Sequence, residues 1–220
     1  GGVAEVYTLF ATADKSKGAK GFCAFAVRKG TPGLTVGKEE DKLGHRASNT
    51  SEVIFEDMKV PAQDMLGKEG EGLRIALATL DRTRPAVAAL SVGVARAAME
   101  AAIQYAKDRV QFGAPIAMLQ AIQFMLADMA MQIEAARLLA YYSAWLIDQG
   151  QKNTLHSSCA KCFASDVAMR VTIDAVQVFG GYGYIKEYPV EKYMRDAKLL
   201  QLYEGTNQIQ RLVIARELLR

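Results

Sequence analysis

The chain has 220 residues, half of them hydrophobic, which is enough to bury the core of one or two domains. Its net charge of +3 is small, and its Lys and Arg residues are scattered rather than concentrated on a basic face. No apolar run approaches the ~20 residues that cross a bilayer, and no secretory signal is recognisable. We therefore expect neither a nucleic-acid partner nor a membrane span.

The three cysteines are few and odd in number. Cys159 and Cys162 have CxxC spacing, but they lie in a helical pattern without a second pair, and Cys23 is remote in sequence. Buried thiols in a reducing compartment are therefore favoured over a metal or redox site. The chain opens Gly1-Gly2-Val3 and enters strand-like sequence at once, from which we expect it to be a piece of a longer protein.

The first third predicts β-structure. Residues 3–11 and 21–28 are apolar, β-branched and aromatic runs with a turn between them, and residues 34–36 and 51–55 continue the pattern. So few strands are not expected to bury a sheet alone. We place a partial antiparallel β domain at residues 1–66.

The period becomes helical after Gly70, and a helical domain is predicted over residues 67–220. A short helix is expected at 73–80, and Pro85 suits the first turn of a second helix that runs to about 109. Further helices are expected at 118–149, from Asn153 to 179, at 190–202 and at 206–219. Three long helices with short connections predict an up-down four-helix bundle, so the fold class is mainly α.

Apolar residues of the helix predicted at 118–149 recur at steps of three and four, forming one stripe: Ile122, Met125, Leu126, Met129, Ile133, Ala136 and Leu139. The methionines of this region are Met118, Met125, Met129 and Met131. We expect them in the core rather than against a cofactor, because methionine fills irregular apolar gaps.

A helical bundle raises the possibility of a di-metal carboxylate site, which needs Glu-x-x-His pairs. The chain has only His45 and His156, and neither lies three residues after a Glu, so no metal site is expected. Neither histidine lies in a nucleophile motif of a hydrolase. The glycines at 180–183 follow a helix rather than a strand, which is typical of a helix end and not of a dinucleotide fingerprint.

Glu204 precedes Gly205 at a predicted break between two helices. A carboxylate there can face a cleft, and the next residues, Thr206 and Asn207, are good helix caps. Backbone N–H groups at that helix start can meet an anion. From these residues alone, a capping or salt-bridged surface role for Glu204 remains the more common interpretation.

Several ordered motifs resemble the acyl-CoA dehydrogenase family, especially its medium-chain type, over essentially the whole chain. They are VIFEDMKVP at 53–61, DRTRP at 81–85, RVQFG at 109–113, QAIQ at 120–123, LADM at 126–129, QVFGGYG at 177–183 and EYPVEK at 187–192. The resemblance implies the second half of a middle β domain followed by the whole C-terminal helical domain. An N-terminal domain and the early strands, which carry part of the flavin site, would be missing.

The resemblance further implies FAD-dependent conversion of an acyl-CoA to a trans-2-enoyl-CoA. Glu204 matches the position of the base that removes the α-proton, while the β-hydrogen leaves as hydride to the flavin. Some branches of the family carry the base at the position of Thr83, which has no basic group, so Glu204 is the only candidate. Burial beside flavin and acyl chain is expected to raise its pKa towards working pH.

Other site residues are also implied by the resemblance. The matched cofactor-binding positions are Arg109, Gln111, Phe112, Gln120, Gln177, Gly181, Thr206 and Gln208. The matched substrate-binding positions are Asp81, Arg84, Tyr203, Gly205 and Arg216. Gln111 stands where the family often has Thr, and Tyr182 where the medium-chain type has Asn; neither change removes a catalytic group.

The implied partners are an acyl-CoA, an electron-transfer flavoprotein and further copies of the chain in a dimer or tetramer, because family members complete the flavin site with a neighbouring subunit. The expected location is a bacterial cytoplasm or a mitochondrial matrix. Two alternatives remain open: a flavin oxidase or enoyl-CoA reductase of the same superfamily, and a non-catalytic helical assembly module without cofactor.

Overall fold

The computed structural model describes residues 1–220, which divide into two compact units, Gly1–Leu80 and Asp81–Arg220. The long helix α1 (Gly72–Asp108) begins in the first unit and continues into the second. The boundary predicted from the sequence lies earlier, between residues 66 and 67, where the last strand of the first unit ends.

The first unit is built of short antiparallel strands, as the sequence predicts. Strand β1 (Val6–Thr12) pairs with β2 (Phe22–Arg28), which pairs on its other side with β5 (Met65–Leu66). Strands β3 (Leu34–Glu39) and β4 (Ser51–Phe55) form a separate two-stranded sheet.

This unit has very little core of its own. Its buried apolar residues are Cys23, Ala24 and Val27, all on β2, whereas Val6 and Phe10 of β1 are exposed. A sheet normally buries one face against another layer. The exposed apolar residues therefore agree with the expectation that these strands do not bury a sheet by themselves.

The second unit is helical and confirms the predicted fold class. After α1, a hairpin of β6 (Val110–Gln111) and β7 (Ala114–Pro115) leads into the remaining helices. These are α2 (Gln120–Asp148), α3 (Thr154–Phe179), α4 (Val190–Leu200) and α5 (Asn207–Leu218).

The prediction of two helices on either side of Pro85 is wrong, because α1 runs through this residue without a break. A proline inside a helix has no N–H for the carbonyl four residues earlier, which here belongs to Asp81. Asn153 supplies the missing donor: its Nδ2 lies 3.2 Å from that carbonyl oxygen. The helix therefore continues because a side chain from the start of α3 satisfies the freed acceptor.

The core of the helical unit centres on α3, which contacts α2, α4 and α5. Most of its buried residues are small, and α1 contributes Ala88, Ala95 and Ala98 to the same cluster. Alanine lets helices approach closely and is the best helix former. The stripe predicted on α2 is confirmed, since all seven of its residues belong to the core or pack against it.

Two of the four methionines expected in the core lie outside it. Met118 and Met131 are exposed, whereas Met129 is fully buried. Met131 instead belongs to a second row of apolar residues on the outer face of α2, at strict seven-residue spacing. This row, called the outer stripe below, consists of Phe124, Met131, Leu138 and Trp145, which are 49–64% exposed.

Helix α1 is long and apolar enough to cross a membrane by length and composition, with an 18-residue window of mean hydropathy 1.6. Charged residues interrupt this helix, so it holds no uninterrupted apolar run of ~20 residues. Its buried alanines belong to the core cluster of the helical unit, and core helices pass the same test.

Candidate functional site

The junction between α4 and α5 has an unusual backbone. Glu204 has φ of +53° and Gly205 has φ of +88°. Glycine adopts such values freely, but a residue with a side chain loses roughly 1–2 kcal/mol in the left-handed region. The chain thus holds Glu204 in a strained conformation, which persists only where the surroundings determine it.

The carboxylate of Glu204 is half-buried and points to α1. Thr83 Oγ1 donates a hydrogen bond of 2.8 Å to Glu204 Oε2 across 121 residues of sequence. Tyr203 packs against the core beside it, and burial, followed by the Glu204 charge, raises the pKa of the Tyr203 hydroxyl.

Three hydrogen bonds from two side chains fix the backbone that carries this carboxylate. The buried Gln210 Nε2 lies 3.1 Å from the carbonyl oxygen of Glu204 and 2.9 Å from that of Gly205. Arg84 Nε donates to the same Glu204 oxygen at 3.4 Å. Charged and amide donors from α1 and α5 therefore meet at the peptide that follows the carboxylate.

Arg84 is itself almost fully buried. It pairs with Asp81 at 3.3 Å and donates to Ser158 Oγ at 3.4 Å. Burial lowers the pKa of Arg84, and the charges of Asp81 and Glu204 oppose that change. The second carboxylate oxygen of Asp81 accepts a 2.6 Å hydrogen bond from Thr154. The hydrogen bonds of Arg84 thus go to protein groups that hold the junction.

A fully buried lysine lies behind the junction. Lys161 Nζ donates to the carbonyl oxygen of Gly205 at 3.0 Å and to Asn207 Oδ1 at 2.8 Å. Burial lowers the pKa of Lys161 to about 8. Asn207 Nδ2 in turn lies 2.7 Å from Asp166 Oδ1, and Arg211 pairs with the other oxygen of this carboxylate at 2.7 Å.

Helix α5 begins as predicted. Thr206 occupies the N-cap position, and its hydroxyl accepts a hydrogen bond of 3.3 Å from the Ile209 N–H. Gln208 in the first turn is exposed and lines a polar cavity of about 360 Å³, together with Asp166 and Arg211. This end of the bundle therefore places Glu204, Gly205, Thr206 and Gln208 within one short segment.

A second cluster lies at the other end of α1 and α3. A cavity of about 530 Å³ is lined by Arg109, Gln111, Gly180 and Gly181, among others. The Arg109 guanidinium stands 5.3 Å from the ring centroid of Tyr182, a cation–π distance. The rings of Tyr105 and Phe179, stacked at 4.1 Å, form an apolar wall of the same cavity.

The β6–β7 hairpin next to this cavity carries Phe112 at its tip. Phe112 has φ of +54° and Gly113 has φ of +82°, as a two-residue hairpin turn requires. The Phe112 side chain is 92% exposed. A strained, fully exposed aromatic ring contributes nothing to the core of this chain.

The remaining predicted site residues are dispersed. Gln177 lies in the last turn of α3 and Gln120 at the start of α2, both exposed. Arg216 is exposed in the last turn of α5, three turns beyond the junction. Along α1, Thr83 and the helix end at Asp108 are about 38 Å apart, at 1.5 Å per residue. The structure thus forms two separate clusters rather than one.

No motif in the sequence marks the residues that hold the junction, namely Lys161, Gln210 and Ser158. Lys161 offered a signal, because it falls in the apolar repeat of α3 where the neighbouring buried positions are mainly Ala, Ser and Val. A lysine is almost never fully buried without a partner. Gln210 and Ser158 carried no signal that distinguishes them from exposed polar residues.

The chain is closely similar to proteins of known family. A profile described as "Acyl-CoA dehydrogenase, C-terminal domain" matches residues 70–219. The short-chain specific acyl-CoA dehydrogenase of Megasphaera elsdenii is 55% identical over 220 residues, which are 100% of this chain and 57% of that protein. The solved structure of butyryl-CoA dehydrogenase from the same organism superposes with a TM-score of 0.98 at 55% identity and the same coverage.

A further solved structure gives the same result. A chain from a structure of the electron transferring flavoprotein of Acidaminococcus fermentans has a TM-score of 0.98 and 55% identity, covering 100% of this chain and 58% of that one. The chain thus spans a little over half the length of these relatives. The profile match covers well over half of the chain and the helical unit in particular, so the chain belongs to the acyl-CoA dehydrogenase family.

Proposed function

We propose that this chain is the C-terminal part of an FAD-dependent acyl-CoA dehydrogenase, in which Glu204 removes the α-proton of the acyl thioester. The observation that carries the proposal is the strained junction: a glutamate with φ of +53°, held by donors from α1 and α5. Strain of this kind concentrates at active sites, because it is retained where a side chain must be aimed. A non-catalytic assembly module would not need a strained glutamate at this junction.

In the proposed reaction, Glu204 takes the proton from the α-carbon while the β-hydrogen leaves with its electron pair, and a double bond forms between the two carbons. A bound flavin would supply the hydride acceptor. Thr83 orients the carboxylate through Oε2 and leaves Oε1 free of that bond to receive the proton. Tyr203 lies beside it in a half-buried position suited to the acyl chain.

The residues present fit the cofactor. The 530 Å³ cavity offers the guanidinium of Arg109 and the backbone of Gly180 and Gly181 along one side. A Cβ built at Gly181 would meet no atom within 4 Å, so open space adjoins this backbone. A planar cation suits the pyrophosphate, and glycine lets phosphates approach the main chain. We assign Arg109, Gln111, Gln177 and Gly181 to the nucleotide end.

Thr206 and Gln208 would meet the flavin at the other cluster, next to Glu204. Because roughly 38 Å of α1 separates the clusters, one flavin does not reach both within a single chain. Arg109, Gln111, Phe112 and Gln120 would therefore serve the flavin of a neighbouring subunit. The exposed ring of Phe112 at the hairpin tip supports this assignment.

The outer stripe supports self-association as well. Four large apolar side chains at seven-residue spacing form a seam of the kind that packs against another helix. We therefore propose a homo-oligomer, a dimer or tetramer, for the whole protein. The electron-transfer flavoprotein is the proposed electron acceptor, in line with the structural match to a chain from a structure of such a protein.

The five residues predicted to bind substrate do not all suit direct substrate contact. Arg84 and Asp81 bond to each other and to protein groups, which suits residues that support the junction. Gly205 and Tyr203 adjoin the carboxylate. Arg216, exposed near the end of α5, stays a prediction for the CoA side.

The test is Glu204→Gln in the full-length protein, assayed with straight-chain acyl-CoAs of several lengths and an artificial electron acceptor. Turnover should fall by about 10²–10⁴-fold, the usual effect of losing a general base, while flavin content and melting temperature stay unchanged. A variant that keeps more than about a tenth of wild-type turnover would refute the role of Glu204.

The rival functions are separated by the visible spectrum. Bleaching of the flavin bands by an acyl-CoA without oxygen supports the dehydrogenase, and rapid recovery in air with peroxide formation indicates an oxidase. A preparation of the full-length protein without flavin bands would indicate the non-catalytic module.

A further inference from the structure

We propose that Lys161 is a positioning residue for Glu204, acting through the carbonyl group of Gly205 and through Asn207 at the start of α5. This inference rests on the proposed role of Glu204 as the base. Lys161 does not touch the carboxylate itself; its ammonium group holds the peptide that follows Gly205 and the first residue of the next helix.

The surroundings of Lys161 are those of a tether rather than of an ion pair. Its side chain is 0% exposed, and both of its hydrogen-bond acceptors are neutral oxygens. Burying an ammonium group is unfavourable unless it is paired with a charge of opposite sign, and the nearby carboxylates of Asp166 and Glu204 attract Lys161 without accepting a hydrogen bond from it. Stability alone therefore does not explain a lysine here, because an apolar side chain of similar length would avoid that cost.

The acceptor on Gly205 is what links Lys161 to the base. Lys161 Nζ at 3.0 Å and Gln210 Nε2 at 2.9 Å share this one oxygen, which has two lone pairs. Two donors from different helices fix the plane of the peptide that follows Gly205. Since Gly205 has φ of +88° and no side chain to limit it, these bonds restrict a backbone that would otherwise move freely.

Asn207 gives the same lysine a second point of attachment. Asn207 Oδ1 accepts from Lys161 at 2.8 Å and from Ser165 Oγ at 3.2 Å, while Nδ2 donates to Asp166 at 2.7 Å. The amide is thus held on both sides by α3. As Asn207 is the first residue of α5, Lys161 fixes the position of that helix start relative to α3.

The consequence is geometric. Lys161 restrains the segment C-terminal to Glu204, whereas Arg84 and Gln210 restrain the Glu204 carbonyl group itself. A shift of about 1 Å in a reacting group lowers turnover by roughly 10²-fold. Loss of the tether should therefore lower the rate of proton removal without weakening substrate binding, because Lys161 is buried behind the junction.

The experiment compares Lys161→Met and Lys161→Gln in the full-length, flavin-loaded protein with Arg170→Met as control. Arg170 lies on the same helix, is exposed, and bonds to Gln132 at 2.9 Å, so its loss removes the same charge from α3. The measured quantities are kcat and KM, exchange of the substrate α-proton with D2O, and hydrogen–deuterium exchange of the backbone amides of residues 203–209.

Lys161→Met should lower kcat and α-proton exchange together by about 10- to 100-fold, leave KM within about threefold, and speed amide exchange at the junction. Lys161→Gln keeps a donor and should recover part of the rate. Arg170→Met should match wild type in all three readouts. A kcat of Lys161→Met within about twofold of wild type, or amide exchange at the junction that does not change, overturns the proposal.

Failure of both Lys161 variants to accumulate as folded flavoprotein also overturns it, since it would make Lys161 a stability residue. The Glu204→Gln and Lys161→Met variants test the proposed function and the present inference separately. If Glu204→Gln retains turnover, the base assignment fails even where Lys161→Met speeds amide exchange; if Glu204→Gln is inactive while Lys161→Met is fully active, only the present inference fails.

Discussion

Thr83 and Glu204 are joined by a 2.8 Å hydrogen bond between Oγ1 and Oε2, although 121 residues separate them in the sequence. The two positions are those at which different branches of the acyl-CoA dehydrogenase family carry their base, according to the resemblance. Their contact means that a carboxylate on either segment would occupy nearly the same place. The contact is therefore consistent with the proposed role of Glu204 as the base.

Thr83→Val replaces the hydroxyl by a methyl group of similar volume and removes the hydrogen bond from Thr83 to Oε2 of Glu204. A hydrogen bond to a charged group contributes about 1.5–3 kcal/mol, so we expect kcat to fall by about 10-fold or more as the carboxylate loses its orientation. KM should change little. Thr83→Ser retains the hydroxyl and should stay close to wild type; equal losses in both variants would contradict an effect through this bond.

The sequence predicted the helical bundle, the strands and the break at Glu204-Gly205 because each depends on local pattern: the 3.6-residue period, the strand runs and the glycines. It failed at Pro85, where a side chain from 68 residues away, Asn153, satisfies the carbonyl that proline leaves without a donor. Local rules contain no information about such a donor, so a helix end was predicted instead.

The site shows the same difference between what local sequence predicts and what depends on contacts between distant residues. Glu204 was assigned as the base by matching motifs. Motifs identify candidate catalytic residues, but they do not identify the side chains that hold those residues in place. Lys161 and Gln210 meet at one carbonyl oxygen only after α3 and α5 have packed together. Their roles depend on tertiary contacts with a main-chain group, whose position no residue type encodes.

Gly205→Ala should disrupt the junction directly. An added Cβ would lie 2.7 Å from Gln210 Nε2, and alanine at φ of +88° is strained whatever the space. We expect a loss of about 1–3 kcal/mol in stability and a fall in kcat at unchanged flavin content. Melting temperature and turnover measured on the same preparation check both effects.

Gly93→Ala is the matched control for that substitution. Gly93 lies inside α1, and a Cβ there would meet no heavy atom within 4 Å. Alanine in a helix interior is favoured over glycine by about 0.5–1 kcal/mol, so this variant should be slightly more stable and fully active. Equal behaviour of the two alanine variants would show that the backbone at Gly205 is not constrained as the structure has it.

The outer stripe makes a prediction about assembly. Leu138→Lys places a charge in the middle of four exposed apolar side chains on α2 and removes no core contact, since Leu138 is 59% exposed. If this face packs against another subunit, burying an unpaired charge there should shift sedimentation of the full-length protein towards smaller species. Ala144→Lys adds the same charge at an exposed position of α2 about 120° around the helix from Leu138, outside the stripe, and should leave the oligomer intact. A sedimentation profile of Leu138→Lys identical to wild type would exclude the stripe as an interface.

The pKa of Lys161 predicts how stability changes with pH. In the unfolded chain this lysine has its ordinary pKa of 10.5, and burial lowers the folded value to about 8. Below pH 8 both states hold the proton, and the folded state bears the whole cost of the buried charge. Between pH 8 and 10.5 the folded state releases its proton first, so the unfolded state binds more protons and stability rises with pH.

Lys161→Met lacks this contribution. Relative to the variant, the wild-type protein should therefore gain about 2 kcal/mol of stability between pH 8 and 10, at 1.36 kcal/mol for each pH unit over which only the folded state is deprotonated. The titratable groups that face Lys161 are Arg84, Cys162, Asp166 and Glu204, and all are retained in the variant. Unfolding midpoints of both proteins at pH 7, 8, 9 and 10 give the difference; the same offset at every pH would mean that Lys161 titrates at its ordinary value and is not buried as described.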